Sequence, residues 1–205
     1  MSISKEHWEN IYNTKQPHEL SWWQENPSTS LDFVHQFNIP KTASLIDIGG
    51  GDSKFVDALL AEGYEHITVL DISEKALHRA KERLGDKATK VHWIVSDITA
   101  FVPTTTYDFW HDRAAFHFLT TPLQISQYLD TARHAVKDKG YATIGTFSTT
   151  GPKKCSGLEI HQYEEETLTA ELENGFKKIR CITEDHRTPF DTIQNFMFCI
   201  FERVD

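Results

Sequence analysis

The chain has 205 residues, of which 39% are hydrophobic, enough for one domain with a substantial core. Its 21 Lys and Arg residues against 30 Asp and Glu residues give a formal net charge of −9. Such an acidic surface repels nucleic acid phosphates and anionic lipid, so we expect neither as a partner. No apolar run approaches the roughly 18 residues that cross a membrane, and the polar start is unlike a signal peptide. We therefore expect a cytoplasmic protein, either a monomer or a dimer.

Three cysteines, Cys155, Cys181 and Cys199, cannot all pair within one chain, and they lack the CxxC spacing of a zinc site. We expect them to be reduced thiols and expect no bound metal. Cys181 and Cys199 fall within strand patterns and are predicted to lie in the core.

Two amphipathic segments, at residues 5–14 and 28–38, are predicted to be helices. The aromatic pair Trp22-Trp23 lies between them. We interpret residues 1–40 as an N-terminal helical lid and residues 41–205 as the main domain.

Short apolar runs then alternate with helical stretches. Strands are predicted at 44–48, 66–70, 91–95, 107–111 and 141–147, and helices at 53–62 and 73–84. A third helix begins after Thr121, where a capping hydroxyl precedes Pro122 and Gln124 stands at the third helical position; Gly140 ends it. This alternation predicts a single-domain α/β fold, with a mostly parallel sheet covered by helices on both faces.

The last part of the chain departs from that alternation. A helix is predicted at 163–172, followed by strands at 176–183 and 193–203. Only the segment "EDHRTPFDT" separates these two strands, so we expect them to form an antiparallel pair at one edge of the sheet.

Three successive strands are each followed by an acid: Asp47, Asp71 and Asp97. The carboxyl ends of parallel strands meet at one edge of the sheet, where ligands bind near the point at which the strand order reverses. The three carboxylates are therefore expected to lie along one ligand-binding edge.

The stretch "LIDIGGGDSK" supplies a glycine turn to that edge. The dinucleotide fingerprint G-x-G-x-x-G fails, because Lys54 stands where its third glycine belongs. Asp71 follows at the distance typical of an acid that binds a ribose diol. Asp47 is unfavourable beside a pyrophosphate but suits an ammonium group. These features favour S-adenosylmethionine, and an NAD-dependent oxidoreductase remains an alternative.

The motifs "IDIGGGDS", "VLDIS" and "VSDI", at this spacing, resemble those of the class I (seven-strand, Rossmann-like) S-adenosylmethionine-dependent methyltransferases. The resemblance implies that the second-strand acid binds both ribose hydroxyls, that the next residue packs on adenine, and that the third-strand motif contacts the adenine amino group and ring. The cofactor-binding residues it implies are Asp47, Gly49, Gly50, Gly51, Asp71, Ile72, Asp97 and Ile98. Ser53 stands where many members keep a third glycine.

The fourth strand, "YDFWHD", falls where the family transfers the methyl group. Position in the family pattern makes His111, Asp112, Arg113 and His117 the catalytic candidates, with His111 also near the cofactor. Either histidine is a candidate base, Arg113 a site for an anionic acceptor, and Asp112 an orienting group. The alternative is a core histidine or an Arg–Asp ion pair.

Three further segments are candidates for the acceptor end. Trp22 and Trp23 are interpreted either as closing over the sulfonium or as anchoring the N-terminal helix. Cys155 follows two lysines, which favours a thiolate able to hold a thiol-seeking acceptor; an incidental cysteine is the alternative. His186 is a further substrate candidate, although a solvated turn is the simpler interpretation.

We predict methyl transfer by in-line displacement to a small-molecule acceptor, with S-adenosylhomocysteine as the product. A protein side chain, such as lysine, is the alternative acceptor. The absence of an N/D-P-P-Y/F motif after the fourth strand argues against methylation of DNA bases. A non-catalytic module that senses the cofactor is a third class.

Overall fold

The structure is a computed structural model that describes residues 5–204. Residues 1–4 and 205, which the predicted lid and main domain include, lie outside the described residues. The α-helices are α1 (Lys5–Thr14), α2 (Ser28–Gln36), α3 (Phe55–Ala61), α4 (Glu74–Leu84), α5 (Pro122–Ala135) and α6 (Glu165–Leu172). No helix within residues 5–204 is long and apolar enough to span a membrane.

One seven-stranded sheet organises the described chain. Its strands are β1 (Ser44–Ile48), β2 (His66–Asp71), β3 (Val91–Val95), β4 (Tyr107–Arg113), β5 (Val136–Phe147), β8 (Phe176–Arg187) and β9 (Ile193–Arg203). The order is β3-β2-β1-β4-β5-β9-β8, and the first five strands are parallel. Strand β9 runs antiparallel to both β5 and β8, which confirms the predicted closing pair. The strand order reverses between β1 and β4, where this fold class binds ligands.

Helices cover both faces of the sheet, as predicted. Helices α5 and α6 bury Tyr128 and Leu168 in a core on one face. Helices α2 and α3 bury Phe33 and Phe55 in a core on the other face. The predicted cap of α5 is confirmed, because the Thr121 hydroxyl accepts from the Gln124 backbone N–H at 3.3 Å.

Helix α1 packs against α4 and is held there by polar contacts. The Glu9 carboxylate accepts hydrogen bonds from the first two backbone N–H groups of α4, those of Glu74 and Lys75, at 2.7 and 3.2 Å. These N–H groups have no partner inside the helix, and a carboxylate also complements the positive end of the helix dipole. Arg79 of α4 donates to the Lys15 carbonyl beyond the end of α1.

Two strands are longer than predicted. Strand β5 begins at Val136 instead of 141, because Val136 pairs with Tyr107 before a register shift. Strand β8 continues to Arg187, paired with Ile193 of β9, so the expected loop is shorter. His186 therefore lies within a strand and is 5% exposed, which corrects its interpretation as part of a solvated turn.

The prediction of three reduced thiols is wrong for two of them. Cys181 and Cys199 are directly opposite each other in the β8–β9 pair and form a disulfide. The pairing brings their Cα atoms to 4.1 Å, so the two side chains meet on one face of the sheet. The two cysteines are 18 residues apart in sequence. Their contact could not be predicted, because it depends on the register of β8 against β9.

Candidate active site

A cleft opens at the carboxyl ends of β1 to β4, beneath the N-terminal segment. It contains about 820 Å³ of empty space, part of which is open solvent. Its lining residues are Trp8, Tyr12, Trp22, Ile48, Gly49, Leu70, Asp71, Ile72, Ser96, Asp97, Ile98, Arg113, Ala114, Ala115, Phe118, Leu119, Gln124 and Cys155.

The glycine turn follows β1 at the floor of this cleft. Gly49 and Gly51 have φ values of +63° and +50°, which L residues with side chains rarely adopt. A Cβ on Gly51 would lie 2.6 Å from the Tyr12 hydroxyl, and one on Gly50 would lie 2.5 Å from an Asp47 oxygen. Of the three glycines, Gly49 lines the cleft. None of the three glycine positions therefore has room for a side chain.

Asp71, at the end of β2, is a buried carboxylate that opens onto the cleft. Its Oδ1 accepts a hydrogen bond from the Ser73 N–H at 2.8 Å. Burial, together with the charges of Asp52 and Asp47, raises the pKa of Asp71 to about 7, although the hydrogen bond from the Ser73 N–H lowers it in part. This carboxyl group is thus poised to change its charge near neutral pH.

The β3 end supplies the next pair of lining residues, Asp97 and Ile98. Oδ1 of Asp97 accepts from both the backbone N–H and the hydroxyl of Thr99, at 2.9 and 2.7 Å. Together with Asp71 and Ile72, they form an end of the cleft that alternates acids with branched apolar side chains. The two carboxylates can accept hydrogen bonds from a ribose diol and from the amino group of a purine, and the apolar side chains can pack against the purine ring.

Asp47 and His111 lie below the glycine turn and do not line the cleft. His111 Nδ1 is 2.7 Å from Asp47 Oδ1, and its Nε2 is 2.8 Å from the Ser30 hydroxyl. His111 is 2% exposed, so both ring nitrogens are used inside the protein. The structure brings these two predicted site residues together, directly beside the glycine turn and outside the cleft lining.

Asp112 and His117 are also buried outside the cleft lining. Asp112 accepts hydrogen bonds from the backbone N–H groups of Ala115 and Phe116 and from the Tyr128 hydroxyl. Burial raises the pKa of Asp112 to about 6. His117 Nδ1 accepts from the Phe147 N–H at 3.2 Å. Burial, followed by the charge of Arg113, lowers the pKa of His117 to about 3.

Arg113, Trp22 and Cys155 also line the cleft, and Arg113 stands at the end of β4, three places along the sheet from the strand β3 that Asp97 follows. Arg113 Nη1 donates to the Trp22 carbonyl at 2.9 Å and so ties the N-terminal segment to β4. Trp8 packs edge-on against Trp22 and Phe118, with ring centroids 5.9 and 5.0 Å apart. These contacts make an aromatic wall.

Trp22 and Trp23 have separate positions. Trp23 does not line the cleft; it packs on the small cluster that contains Ile11 and Leu20, with the Lys54 ammonium 5.9 Å from its ring. One tryptophan therefore faces the cleft and its neighbour anchors the N-terminal segment.

Cys155 belongs to a small hairpin that was not predicted, formed by β6 (Lys154–Cys155) and β7 (Leu158–Glu159). It is 5% exposed, and burial raises the pKa of its thiol to about 12. The expected thiolate is therefore wrong, because burial outweighs the charges of Arg113 and Lys15, which favour ionisation. His186 lies outside the cleft lining and donates from Nε2 to the Ser21 carbonyl at 2.7 Å.

Sequence reasoning missed Trp8, Tyr12 and Phe118 as lining residues. Trp8 and Tyr12 stand four residues apart, so they share one face of α1, and that spacing was available in the sequence. Among residues 5–204, no cluster of three or more His, Cys, Asp or Glu side chains is arranged to hold a metal ion.

Comparison with known proteins shows what the chain resembles. Residues 45–140 match the family described as a methyltransferase domain. The malonyl-[acyl-carrier protein] O-methyltransferase of Anoxybacillus flavithermus is 29% identical over 126 residues, which are 60% of this chain and 48% of that protein. The eEF1A lysine and N-terminal methyltransferase of Mus musculus is 26% identical over 122 residues, 58% of this chain and 17% of that protein.

The chain thus spans less than half the length of these two curated relatives. A structural neighbour of similar size is the N-methyltransferase NodS of Bradyrhizobium japonicum in complex with S-adenosylhomocysteine. It is 15% identical, with a TM-score of 0.66 over 89% of this chain and 90% of that one. The sheet order, the glycine turn and the strand-end acids agree with these matches. Residues 45–140 thus resemble a methyltransferase domain, and the described chain shares the Rossmann-like fold of a solved methyltransferase.

Proposed function

We propose that this protein transfers a methyl group from S-adenosylmethionine to a small-molecule acceptor. One observation carries the proposal: a single cleft has the acids Asp71 and Asp97 at one end and an aromatic wall with Arg113 at the other. The donor's adenosine suits the first end, and the second end leaves space for an acceptor.

Four residues are proposed to hold the adenosine part of the donor. Asp71 accepts hydrogen bonds from the two ribose hydroxyls, and Asp97 accepts one from the adenine amino group. Ile72 and Ile98 pack against the adenine ring, which favours its burial. When bound, S-adenosylmethionine supplies an electrophilic methyl carbon attached to a sulfonium sulfur.

Asp47 and the glycine turn are proposed to hold the amino-acid arm. The backbone at Gly49 is bare and faces the cleft, which allows close approach of the ligand. The charge of Asp47, just below the turn, favours an ammonium group above it. In this proposal His111 is a positioning residue, because its hydrogen bond to Asp47 fixes that carboxylate.

The acceptor end is proposed to act mainly by alignment. Trp8, Trp22 and Phe118 form a wall that excludes water and holds the acceptor in line with the methyl group. Among the described lining residues there is no histidine, and the Cys155 thiol stays protonated near neutral pH. Correct alignment alone supplies a large rate factor, with effective molarities of about 10⁵–10⁸ M.

The first test is thermal stability with saturating S-adenosylhomocysteine, and separately with NAD and NADP. Ligand at about 100 times its dissociation constant adds about 2.7 kcal/mol to the free energy of unfolding. We expect a rise in melting temperature with S-adenosylhomocysteine alone. A rise with NAD or NADP alone would replace this proposal with an oxidoreductase.

The second test uses S-adenosylmethionine labelled in its methyl group and a cell extract divided into protein and low-mass fractions. Label in the low-mass fraction supports a small-molecule acceptor. Label in the protein fraction supports the second candidate, a protein side chain, which the name of the mouse relative favours. Consumption of the donor would also exclude a module that merely senses it.

A further inference from the structure

Arg113 is the one cation among the described residues that line the cleft. It stands at the end of β4, opposite Gly145 of β5. Asp71 and Asp97 follow β2 and β3, on the other side of β1 in the sheet. Arg113 therefore faces the acceptor end of the cleft, away from the end proposed to bind adenosine.

The guanidinium of Arg113 has no carboxylate partner within the described chain. None of the ion pairs among residues 5–204 includes Arg113. Its one hydrogen bond to a described residue goes to the Trp22 carbonyl, and its flat face lies 4.8 Å from the centre of the Phe196 ring. An arginine side chain has five N–H donors, so most of them stay available.

The charge itself persists at neutral pH. Burial lowers the pKa of Arg113, but only to about 10. A half-buried cation without a counter-ion is costly, because it has lost part of its hydration and gained no equivalent partner. A site that retains such a charge is built for an anion supplied by a ligand.

Among the acids near Arg113, Glu184 of β8 has the largest effect on its pKa. The two side chains nevertheless form no ion pair. Glu184 Oε2 is buried without a hydrogen-bond partner, and Glu184 does not line the cleft. The two groups influence each other only at longer range. The guanidinium N–H groups are therefore free to bind a ligand anion directly.

The walls around Arg113 determine the rest of the ligand. Trp8, Trp22 and Phe118 offer apolar aromatic surface beside a single positive group. A planar guanidinium matches a carboxylate through two parallel hydrogen bonds, and aromatic walls match a flat or branched apolar body.

We propose that the methyl acceptor is a small molecule with an apolar body and a carboxylate, and that Arg113 binds this carboxylate while the aromatic wall holds the body. The inference rests on the proposed methyl transfer and adds the class of its acceptor. The carboxylate here anchors and orients the acceptor.

The test measures binding to the protein loaded with S-adenosylhomocysteine. The probes are matched pairs of small carboxylic acids and their primary amides, such as 4-hydroxybenzoate with 4-hydroxybenzamide and 3-phenylpropionate with its amide. We expect at least one acid to bind tenfold or more tightly than its amide, by isothermal titration. Arg113→Gln should abolish that preference, and Arg113→Lys should retain part of it. Equal binding of acid and amide in every pair, or no binding of any acid, would overturn the inference.

Two controls separate this result from other causes. Arg79→Gln removes another guanidinium that donates to a carbonyl of the N-terminal segment, but Arg79 does not line the cleft. It should keep the preference for acids. S-adenosylhomocysteine affinity should change less than threefold in Arg113→Gln. A tenfold loss there would assign Arg113 to the carboxylate of the donor and overturn the inference, whereas failure of the wild type to bind S-adenosylhomocysteine would overturn the proposed function itself.

Discussion

Asp47 and His111 are directly opposite each other on β1 and β4, and a 2.7 Å contact joins their side chains beneath the glycine turn. Both are almost fully buried, and His111 also reaches Ser30 of α2. This pair therefore links the two central strands to the N-terminal segment. It places a fixed carboxylate two residues before Gly49, the first residue of the turn proposed to meet the amino-acid arm of the donor.

The Asp47–His111 contact is expected to stabilise the fold. His111→Ala removes one partner and leaves a buried carboxylate oxygen without it, so we expect a loss of about 1–3 kcal/mol in the free energy of unfolding. Urea denaturation measures this loss. His35→Ala is the matched control, because His35 contacts Glu62 at the surface and should cost less than about 1 kcal/mol. Equal losses in both variants would contradict a structural role for the buried pair.

The buried carboxyl of Asp71 predicts a pH-dependent affinity for the donor. An ionised carboxylate accepts from both ribose hydroxyls, whereas a protonated one must donate. Because burial raises the pKa of Asp71 to about 7, S-adenosylhomocysteine should bind more tightly as the pH rises from 6 to 8. Isothermal titration across this range provides the measurement.

Two variants check that assignment. Asp71→Asn should flatten the pH dependence, and Asp71→Ala should weaken binding by about 1.5–3 kcal/mol, the value of hydrogen bonds to a charged group. The exposed Asp86→Ala variant should match the wild type. A steep pH dependence that survives in Asp71→Asn would exclude Asp71 as its origin.

The same carboxyl groups predict how stability changes with pH. Burial raises the pKa of Asp71 to about 7 and that of Asp112 to about 6, above the unfolded value of about 4. The folded state thus holds protons that the unfolded state releases between pH 4 and 7. Their contribution to stability should fall as the pH rises through this window. Asp112→Asn should reduce the slope of unfolding free energy against pH, and an unchanged slope would show that Asp112 is already ionised at acidic pH.

The glycine turn should tolerate no side chain at position 51. Gly51→Ala combines a φ of +50° with a Cβ 2.6 Å from the Tyr12 hydroxyl, so we expect a loss of at least about 1–3 kcal/mol in stability and weaker binding of S-adenosylhomocysteine. Gly63 has a φ of +87°, but a Cβ there would meet no atom within 4 Å. Gly63→Ala is therefore the control that measures the backbone strain without a steric clash. Adding Tyr12→Phe to Gly51→Ala should recover part of the loss. If Gly51→Ala and Gly63→Ala lose the same stability, the contact with Tyr12 is unimportant.

The disulfide predicts a definite thiol count. Under denaturing conditions without reductant, a thiol reagent should detect one thiol, Cys155, and it should detect three after reduction. A disulfide that closes a loop of this length contributes about 3 kcal/mol in the chain-entropy account. Cys181→Ser should therefore lower the melting temperature under non-reducing conditions. Three thiols before reduction would contradict the pairing.

The positions of Asp71 and Asp97 beside one cleft were predictable because their signals are local. Asp71 and Asp97 each follow a short apolar strand, and parallel strands bring such residues to one edge. The position of Arg113 in the cleft was harder to predict from the sequence. Strand β4 continues to Arg113, two residues beyond its predicted end, and side chains alternate along a strand. Asp112 therefore faces the opposite core from Arg113, so residues adjacent in sequence do not share one site.

The N-terminal wall illustrates a second limit. Trp8 and Tyr12 were visible as neighbours on one helix face, but their place over the cleft depends on long-range contacts such as Glu9 with the start of α4. The disulfide is a further case, since it depends on the register of two strands. Long-range register and docking arise from packing, which a local pattern does not encode.

Three side chains hold the N-terminal segment over the cleft: Arg79 through the Lys15 carbonyl, His186 through the Ser21 carbonyl and Arg113 through the Trp22 carbonyl. In each case the segment contributes only its backbone. Mutational tolerance across these contacts should therefore be one-sided. A substitution at Lys15 or Ser21 keeps the carbonyl and the tie, whereas a substitution at Arg79 or His186 removes the donor. Positions 15 and 21 of the segment can therefore vary in sequence, whereas the positions whose side chains bind their carbonyl groups cannot.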